Sequence, residues 1–300
     1  MNENKKMVEH GPKGLKRIPI GISDYRKLKT GDYYIVDKSL LIKEFLDSGA
    51  EVTLVTRPRR FGKTLNMSMM AEFFDITKDS KDIFKDTAIM DTEYVREMNQ
   101  YPTIFLSFAD AKNSQTNVVM QIKSQLLKEY QKNKQLFKEI DMFEKPRFEL
   151  IMKGLSNLQD GSLETVPNAI SFLTEKLHQY YAKRVMLFID EYDMPFIESH
   201  IHGFYNKVHS SLSVMLSSAL KDNSYLQYAM LTGIQRVVKE NIFSGLNNPE
   251  VRTVSDPAYS QHFGFMKEEA EALLKYYGLE CSEEVKAMYD GYYIGGTEIY

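Results

Sequence analysis

Residues 56–64 read TRPRRFGKT, and the fold turns on whether this stretch is a phosphate-binding loop. Such a loop follows the pattern G-x-x-x-x-G-K-[ST]. Gly62, Lys63 and Thr64 fit it, but Arg57 stands where the first glycine belongs, with Pro58, Arg59 and Arg60 behind it. The flanks favour the loop. EVTLVT (51–56) reads as a buried strand, and KTLNMSMMAEFFD (63–75) carries Leu65, Met69, Met70, Phe73 and Phe74 at helical spacing. A strand, a tight turn and a helix N-terminus together aim backbone N–H groups and a partial positive charge at phosphate. Gly62 then allows close backbone approach, Lys63 reaches the β- and γ-phosphates, and Thr64 holds Mg²⁺. Pro58 restricts Arg57 to extended conformations, so the turn is expected to be rigid, with the arginines adding charge beside a triphosphate. The alternative is a basic turn that spells G-K-T incidentally.

Outward from the loop, short apolar strands alternate with amphipathic helices, the pattern of a parallel sheet covered on both faces. Strands are expected at 103–108 (TIFLSF), 185–190 (VMLFID), 226–232 (LQYAMLT) and 251–255 (VRTVS). Helices are marked by Val118, Val119, Ile122, Leu126 and Tyr130, by Ile170, Leu173, Leu177 and Tyr181, and by Phe204, Val208, Leu212, Met215 and Leu216. A last helix runs from Lys267 to Tyr277, with Glu268 and Glu269 in its first turn and Gly278 as its stop. Residues 131–166 read as a charged helical insertion broken at Asp160-Gly161.

VMLFIDEYD delivers two adjacent acids at a strand's C-terminal end, where open parallel sheets bind ligands. Asp190 there suits the Mg²⁺ water shell, and Glu191 suits a general base for an attacking water. A polar loop after an apolar strand is the plainer reading. Thr232, ending YAMLT, fits a residue that senses the γ-phosphate. Strand 103–108 lies between the two motifs along the chain, as an ATPase class with an extra strand requires. Arg236 and Arg252 could stabilise charge on the transferred phosphoryl group, but a surface ion pair is the plainer reading of each. Asp193 reads as a helix N-cap or salt-bridge partner as readily as a site residue.

Composition narrows the alternatives. The chain has 300 residues, 43% hydrophobic and 26% charged, with a net charge of −3. That balance gives no overall nucleic-acid signature. Cys281 is the single cysteine, which excludes an intrachain disulfide and a cysteine-rich metal site. No apolar run suits a membrane span and no signal-peptide core opens the chain, so a cytoplasmic protein is expected. The first 17 residues form a basic arm with Lys5, Lys6, Lys13, Lys16 and Arg17. Six histidines, including His200 and His202, lack the partners of a metal cluster, and Ser210 and Ser211 beside His209 lie inside a helix.

Five blocks also carry a family resemblance: IPIGISDYRKLKTGDYYIVDKSLLIKEFLDSG (18–49), LVTRPRRFGKTLNMSMM (54–70), FIDEYDMPF (188–196), LTGIQRVVKENIFSGLNN (231–248) and MYDGYYIGGTEIY (288–300). In this order they resemble the AAA-ATPase-like proteins, bacterial and archaeal P-loop proteins related to STAND-type and archaeal ATPases. The family's loop reads R-P-R-R-F-G-K-T as a rule, which implies that Arg57 belongs to a working variant. The resemblance places residues 57–65 (Arg57, Pro58, Arg59, Arg60, Phe61, Gly62, Lys63, Thr64 and Leu65) at the nucleotide. It also implies that YYIVDKS passes near the base, making Tyr34, Asp37 and Lys38 candidates. Longer family members carry a C-terminal nuclease-like domain of the PD-D/E-X-K type. No such set lies within this chain, which is expected to be part of a longer protein.

The expected architecture is an α/β three-layer P-loop NTPase fold of the additional-strand class, with a mainly parallel sheet, over residues 18–255. A small, incomplete helical subdomain is expected over 256–300. The expected activity is Mg²⁺-dependent ATP hydrolysis serving as switch or motor for an attached effector. Lys63, Glu191, Thr232 and Arg236 are the catalytic candidates, and Thr64 and Asp190 the metal ligands. ATP is favoured over GTP because no N-K-x-D base-reading motif is present. Two rivals stay open: a nucleotide-binding signalling module with little turnover, and a nucleic-acid-binding protein using Arg57, Arg59 and Arg60. Whether the domain forms an oligomer stays open; an arginine finger would come from a neighbouring subunit.

Overall fold

The structure, a computed structural model, describes residues 14–138, 140–235, 249–280 and 291–299. In chain order the elements are α1 (Tyr25–Thr30), α2 (Leu40–Ser48), β1 (Val52–Thr56), α3 (Lys63–Phe74), α4 (Lys81–Phe84), β2 (Thr103–Ser107), α5 (Gln115–Lys132), α6 (Lys145–Ser156), α7 (Ala169–Tyr181), β3 (Val185–Asp190), α8 (Met194–Ile201), α9 (Tyr205–Leu220), β4 (Leu226–Gly233), β5 (Glu250–Arg252), α10 (Lys267–Tyr276), β6 (Tyr292–Ile294) and β7 (Thr297–Ile299).

Strands β1 to β5 form one parallel sheet in the order β2-β3-β4-β1-β5. All six residues of β3 are buried, the continuous apolar run expected of a parallel strand covered on both faces. Its side chains alternate between two cores. Leu187 and Ile189 join Ile104, Leu106 and Leu231 against α5, α7 and α9. Met186 and Phe188 join Val55 and Met230 against α2 and α3. Each large side chain so buried contributes about 1.5–3 kcal/mol. The result is the three-layer fold of P-loop NTPases. The strand standing between β1 and β3 is β4. The strand at 103–107, which intervenes along the chain, lies at the sheet edge instead.

Two expectations need correction. The helix within 131–166 ends at Ser156, before Asp160-Gly161. Asp160 instead anchors the buried ammonium of Lys123, on α5, at 2.5 Å. The C-terminal part is not purely helical, since β6 and β7 pair as an antiparallel hairpin. Three-residue strands are too short to show period two, but Gly295 and Gly296 at φ 56° and 82° mark its turn. The hairpin does not stand apart either. Ile294 and Ile299 share a core with Phe61, Met67 and Phe263. Among the described residues no helix is long and apolar enough to cross a membrane.

Candidate functional site

Strands β1, β4 and β3 are neighbours and end at the same edge of the sheet, so their C-terminal residues converge. From β1 the chain turns through 57–62 into α3. Gly62 precedes the helix at φ 74° with no side-chain cap on the first turn, which leaves the helix N-terminus open to an anion. A Cβ on Gly62 would meet nothing within 4 Å, so glycine is required there by backbone angle and not by space. Arg60 holds the left-handed region as well, at φ 69°, a strained conformation for a residue with a Cβ.

Asp190 ties the end of β3 to the end of β4 and to the first turn of α3. It is fully buried. Its Oδ2 accepts from Thr64 Oγ1 at 2.8 Å and its Oδ1 from Thr232 Oγ1 at 2.8 Å. Ser107 Oγ, at the end of β2, lies 3.4 Å from Oδ2. Burial raises the carboxyl above its ordinary range, against the opposing pull of the two threonine hydroxyls. Glu191 follows at φ 52°, and the turn brings its Oε1 to 3.4 Å from Lys63 Nζ. Glu191 Oε2 is buried without a hydrogen-bond partner. The Lys63 ammonium also donates to the carbonyls of Arg57 at 3.2 Å and Pro58 at 3.1 Å.

Asp193 sits at the N-cap position of α8 but does not cap it. Its Oδ2 accepts from the amides of Ile234 at 2.8 Å and Gln235 at 3.0 Å, fixing the chain just beyond Thr232. Burial raises this carboxyl too.

Arg57 corrects the reading that all three arginines face phosphate. It is 0% exposed. Its guanidinium donates to the carbonyls of Thr56 (2.9 Å), Thr253 (2.8 Å) and Ala258 (3.0 Å), and lies 5.6 Å from the Phe263 ring centre. Burial lowers it to about 10. The nucleic-acid reading therefore loses one of its three cations. Arg59 and Arg60 are exposed. Arg252 pairs with Glu250 and lies 3.8 Å from Asp256, the ion-pair role that was its plainer reading. Arg236 falls outside the described residues.

The loop opens into a cleft of about 870 Å³ whose walls include Arg60–Asn66, Glu191, Ile18–Pro19, Tyr34–Val36, Lys38, and Leu273 and Leu274 of α10. That volume suits a drug-sized or nucleotide-sized ligand. Asp37 does not line it. Its carboxylate accepts from Ser39 N at 2.9 Å and Ala88 N at 2.7 Å, a turn brace set by the polar residue two positions on. Of the three base-side candidates, Tyr34 and Lys38 do line the cleft. The Lys38 ammonium bridges to Glu269 of α10 and to the Gln261 carbonyl at 2.7 Å. Sequence reasoning missed Ser107 and the α10 wall. A polar residue closing the TIFLS strand was the available signal for Ser107; no local pattern announced the wall.

The chain is 26% identical over 291 residues to a protein described as "Uncharacterized protein in vnfD 5'region" of Azotobacter chroococcum mcd 1, a match covering 95% of this chain. The chain spans half the length of that relative. The sequence profile of the predicted AAA-ATPase family matches residues 19–243, from the cleft wall through β1, β3 and β4. The chain belongs to the predicted AAA-ATPase family.

Proposed function

We propose that this protein binds ATP with Mg²⁺ in the cleft at loop 57–64 and hydrolyses it. The observation that carries the reading is the convergence of Thr64 and Thr232 on the Asp190 carboxylate, beside the Lys63–Glu191 pair. Lys63 exchanges the loop carbonyls for phosphate oxygens, which are better partners for an ammonium. The amides at the start of α3 add further donors. Among the described residues no cluster of three His, Cys, Asp or Glu side chains forms a protein-only cage. Mg²⁺ commonly takes one or two protein oxygens together with substrate phosphates, and Thr64 and Asp190 would hold it in that manner. When bound it would neutralise charge on the β- and γ-phosphate oxygens.

Glu191 accepts the proton of the attacking water once Lys63 has moved to phosphate, and its unpartnered Oε2 is the open acceptor. Thr232, held by Asp190, orients the γ-phosphate end. The absence of an N-K-x-D motif favours ATP over GTP. The turnover cycle would serve as switch or motor for an attached effector. A nuclease-like effector rests on the family resemblance alone.

The test is phosphate release by the wild type with Mg²⁺ and with EDTA, beside Lys63→Ala. Mg²⁺-dependent release that Lys63→Ala abolishes supports the reading. Binding without release in the wild type would favour the rival, a signalling module in which the Lys63–Glu191 pair keeps the base occupied.

A further inference from the structure

Lys63 and the α3 N-terminus face the cleft from a loop that lacks its opening glycine, so something else must set the path of residues 57–62. The segment 253–264 runs along the loop from end to end. At the loop's start, the Arg57 guanidinium bridges Thr253 O at 2.8 Å and Ala258 O at 3.0 Å, and returns to Thr56 O at 2.9 Å. In its middle, Gly264 N donates to Phe61 O at 3.1 Å. Beyond its end, Asn66 Nδ2 donates to His262 O at 2.7 Å. The Phe263 ring packs near the guanidinium. Arg57 N itself donates to Gly233 O at 3.0 Å, one residue past Thr232.

We propose that Arg57 is a positioning residue for the nucleotide site. It replaces the flexibility of the missing glycine with a rigid brace, acting on phosphate through its own backbone. The Arg57 carbonyl accepts from Lys63 Nζ at 3.2 Å before ligand arrives, so the brace sets where the ammonium stands ready for phosphate. A planar fork of five donors can bridge carbonyls on separate segments at once, which a lysine ammonium on a flexible stem cannot do with the same geometry. Pro58 narrows the choice further by holding Arg57 extended, so brace and proline fix one loop conformation before ligand arrives. Preorganisation of this kind shows as affinity. The inference rests on the nucleotide-binding reading above.

The experiment measures Mg·ATP affinity, KM and kcat for the full chain as wild type, Arg57→Lys and Arg57→Ala. Thermal unfolding without nucleotide is recorded alongside. Arg57→Lys is expected to weaken ATP binding by about tenfold or more, the loss of one to two charged hydrogen bonds, with kcat at saturating ATP nearly unchanged. Millimolar methylguanidinium is expected to restore affinity to Arg57→Ala. Should Arg57→Ala not fold, Arg57→Lys carries the test through the KM-against-kcat split. Wild-type affinity in Arg57→Lys, or equal falls in kcat and affinity that track the unliganded melting temperature, overturns the positioning role and leaves the nucleotide site standing. A wild type that binds no ATP overturns both.

Discussion

Lys63 Nζ and Glu191 Oε1 lie 3.4 Å apart on the floor of the cleft, each the other's charge partner. The Lys63 side chain is buried, so this pair lies in a medium where Coulomb attraction is only partly screened. A nucleotide must therefore win Lys63 from a carboxylate, and a water must win that carboxylate from Lys63. Glu191→Gln is expected to bind ATP at least as tightly as the wild type, because the competing charge is gone. Its turnover should fall by about 10²–10⁴-fold, the usual contribution of a general base. Hydrolysis at the wild-type rate in a phosphate-release assay would remove Glu191 from that role.

Thr232→Val keeps shape and deletes the hydroxyl that reaches Asp190 Oδ1. A buried acceptor without its donor costs about 1–3 kcal/mol, which chemical denaturation will read. The same change has a pH signature. Burial already raises the Asp190 carboxyl, and the Thr232 hydrogen bond opposes that rise. Mg²⁺ needs the carboxylate form, so Mg²⁺-dependent binding is lost as pH falls through the folded pKa. Removing Thr232 should move that acid limb to higher pH. Superimposable limbs in wild type and variant would show that Asp190 does not hold the metal.

The fold was legible where the chain speaks locally. VMLFID announced β3 by its unbroken apolar run, and FGKT together with DE placed Thr64 at a helix start and Asp190 at a strand end that the sheet order then brings together. What was not legible is long-range. Arg57 reads as a cation for phosphate because neighbours in sequence are all that a motif shows; its partners Thr253 and Ala258 lie 196 and 201 residues on. The Glu191 backbone at φ 52° has no sequence signature in a non-glycine residue. The β6–β7 hairpin was signalled by Gly295-Gly296 and passed over, because Tyr292–Ile294 is too short to alternate. Asp37 was misplaced because the resemblance located a segment and not the direction of a side chain.

Asp193 and Gly233 interlock. A Cβ on Gly233 would sit 2.7 Å from Asp193 Cγ, so Gly233→Ala must displace the carboxylate that holds Ile234 and Gln235. Turnover is expected to fall more than ATP affinity, since the displaced carboxylate is the one that fixes the chain just beyond Thr232. Asp193→Asn, which retains an acceptor oxygen, should be milder than Asp193→Ala in the same steady-state assay. Equal losses in both Asp193 variants would contradict the clamp.

Glu129, on α5, supplies a stability test independent of nucleotide. Burial pushes its carboxyl up to about 7 from an ordinary 4.5, with nearby Lys132 pulling the other way and Asp75 adding to the rise. Because the folded value is the higher one, the folded state holds the proton more tightly. Its contribution is complete below about pH 4.5 and is lost as pH rises through 7. Glu129→Gln should be more stable than the wild type at pH 8, by on the order of 2–3 kcal/mol, with the gap closing toward pH 5. Parallel denaturation curves across that range would show that Glu129 does not titrate upward.

The most direct measurement is thermal unfolding with and without Mg·ATP, on the wild type and on Lys63→Ala. A ligand that binds only the native state adds about 2.7 kcal/mol at a hundredfold excess over its Kd, a shift of several degrees for a chain of this size. The account predicts that shift in the wild type and its loss in Lys63→Ala. No shift in the wild type at millimolar ATP, or an equal shift in Lys63→Ala, would contradict it.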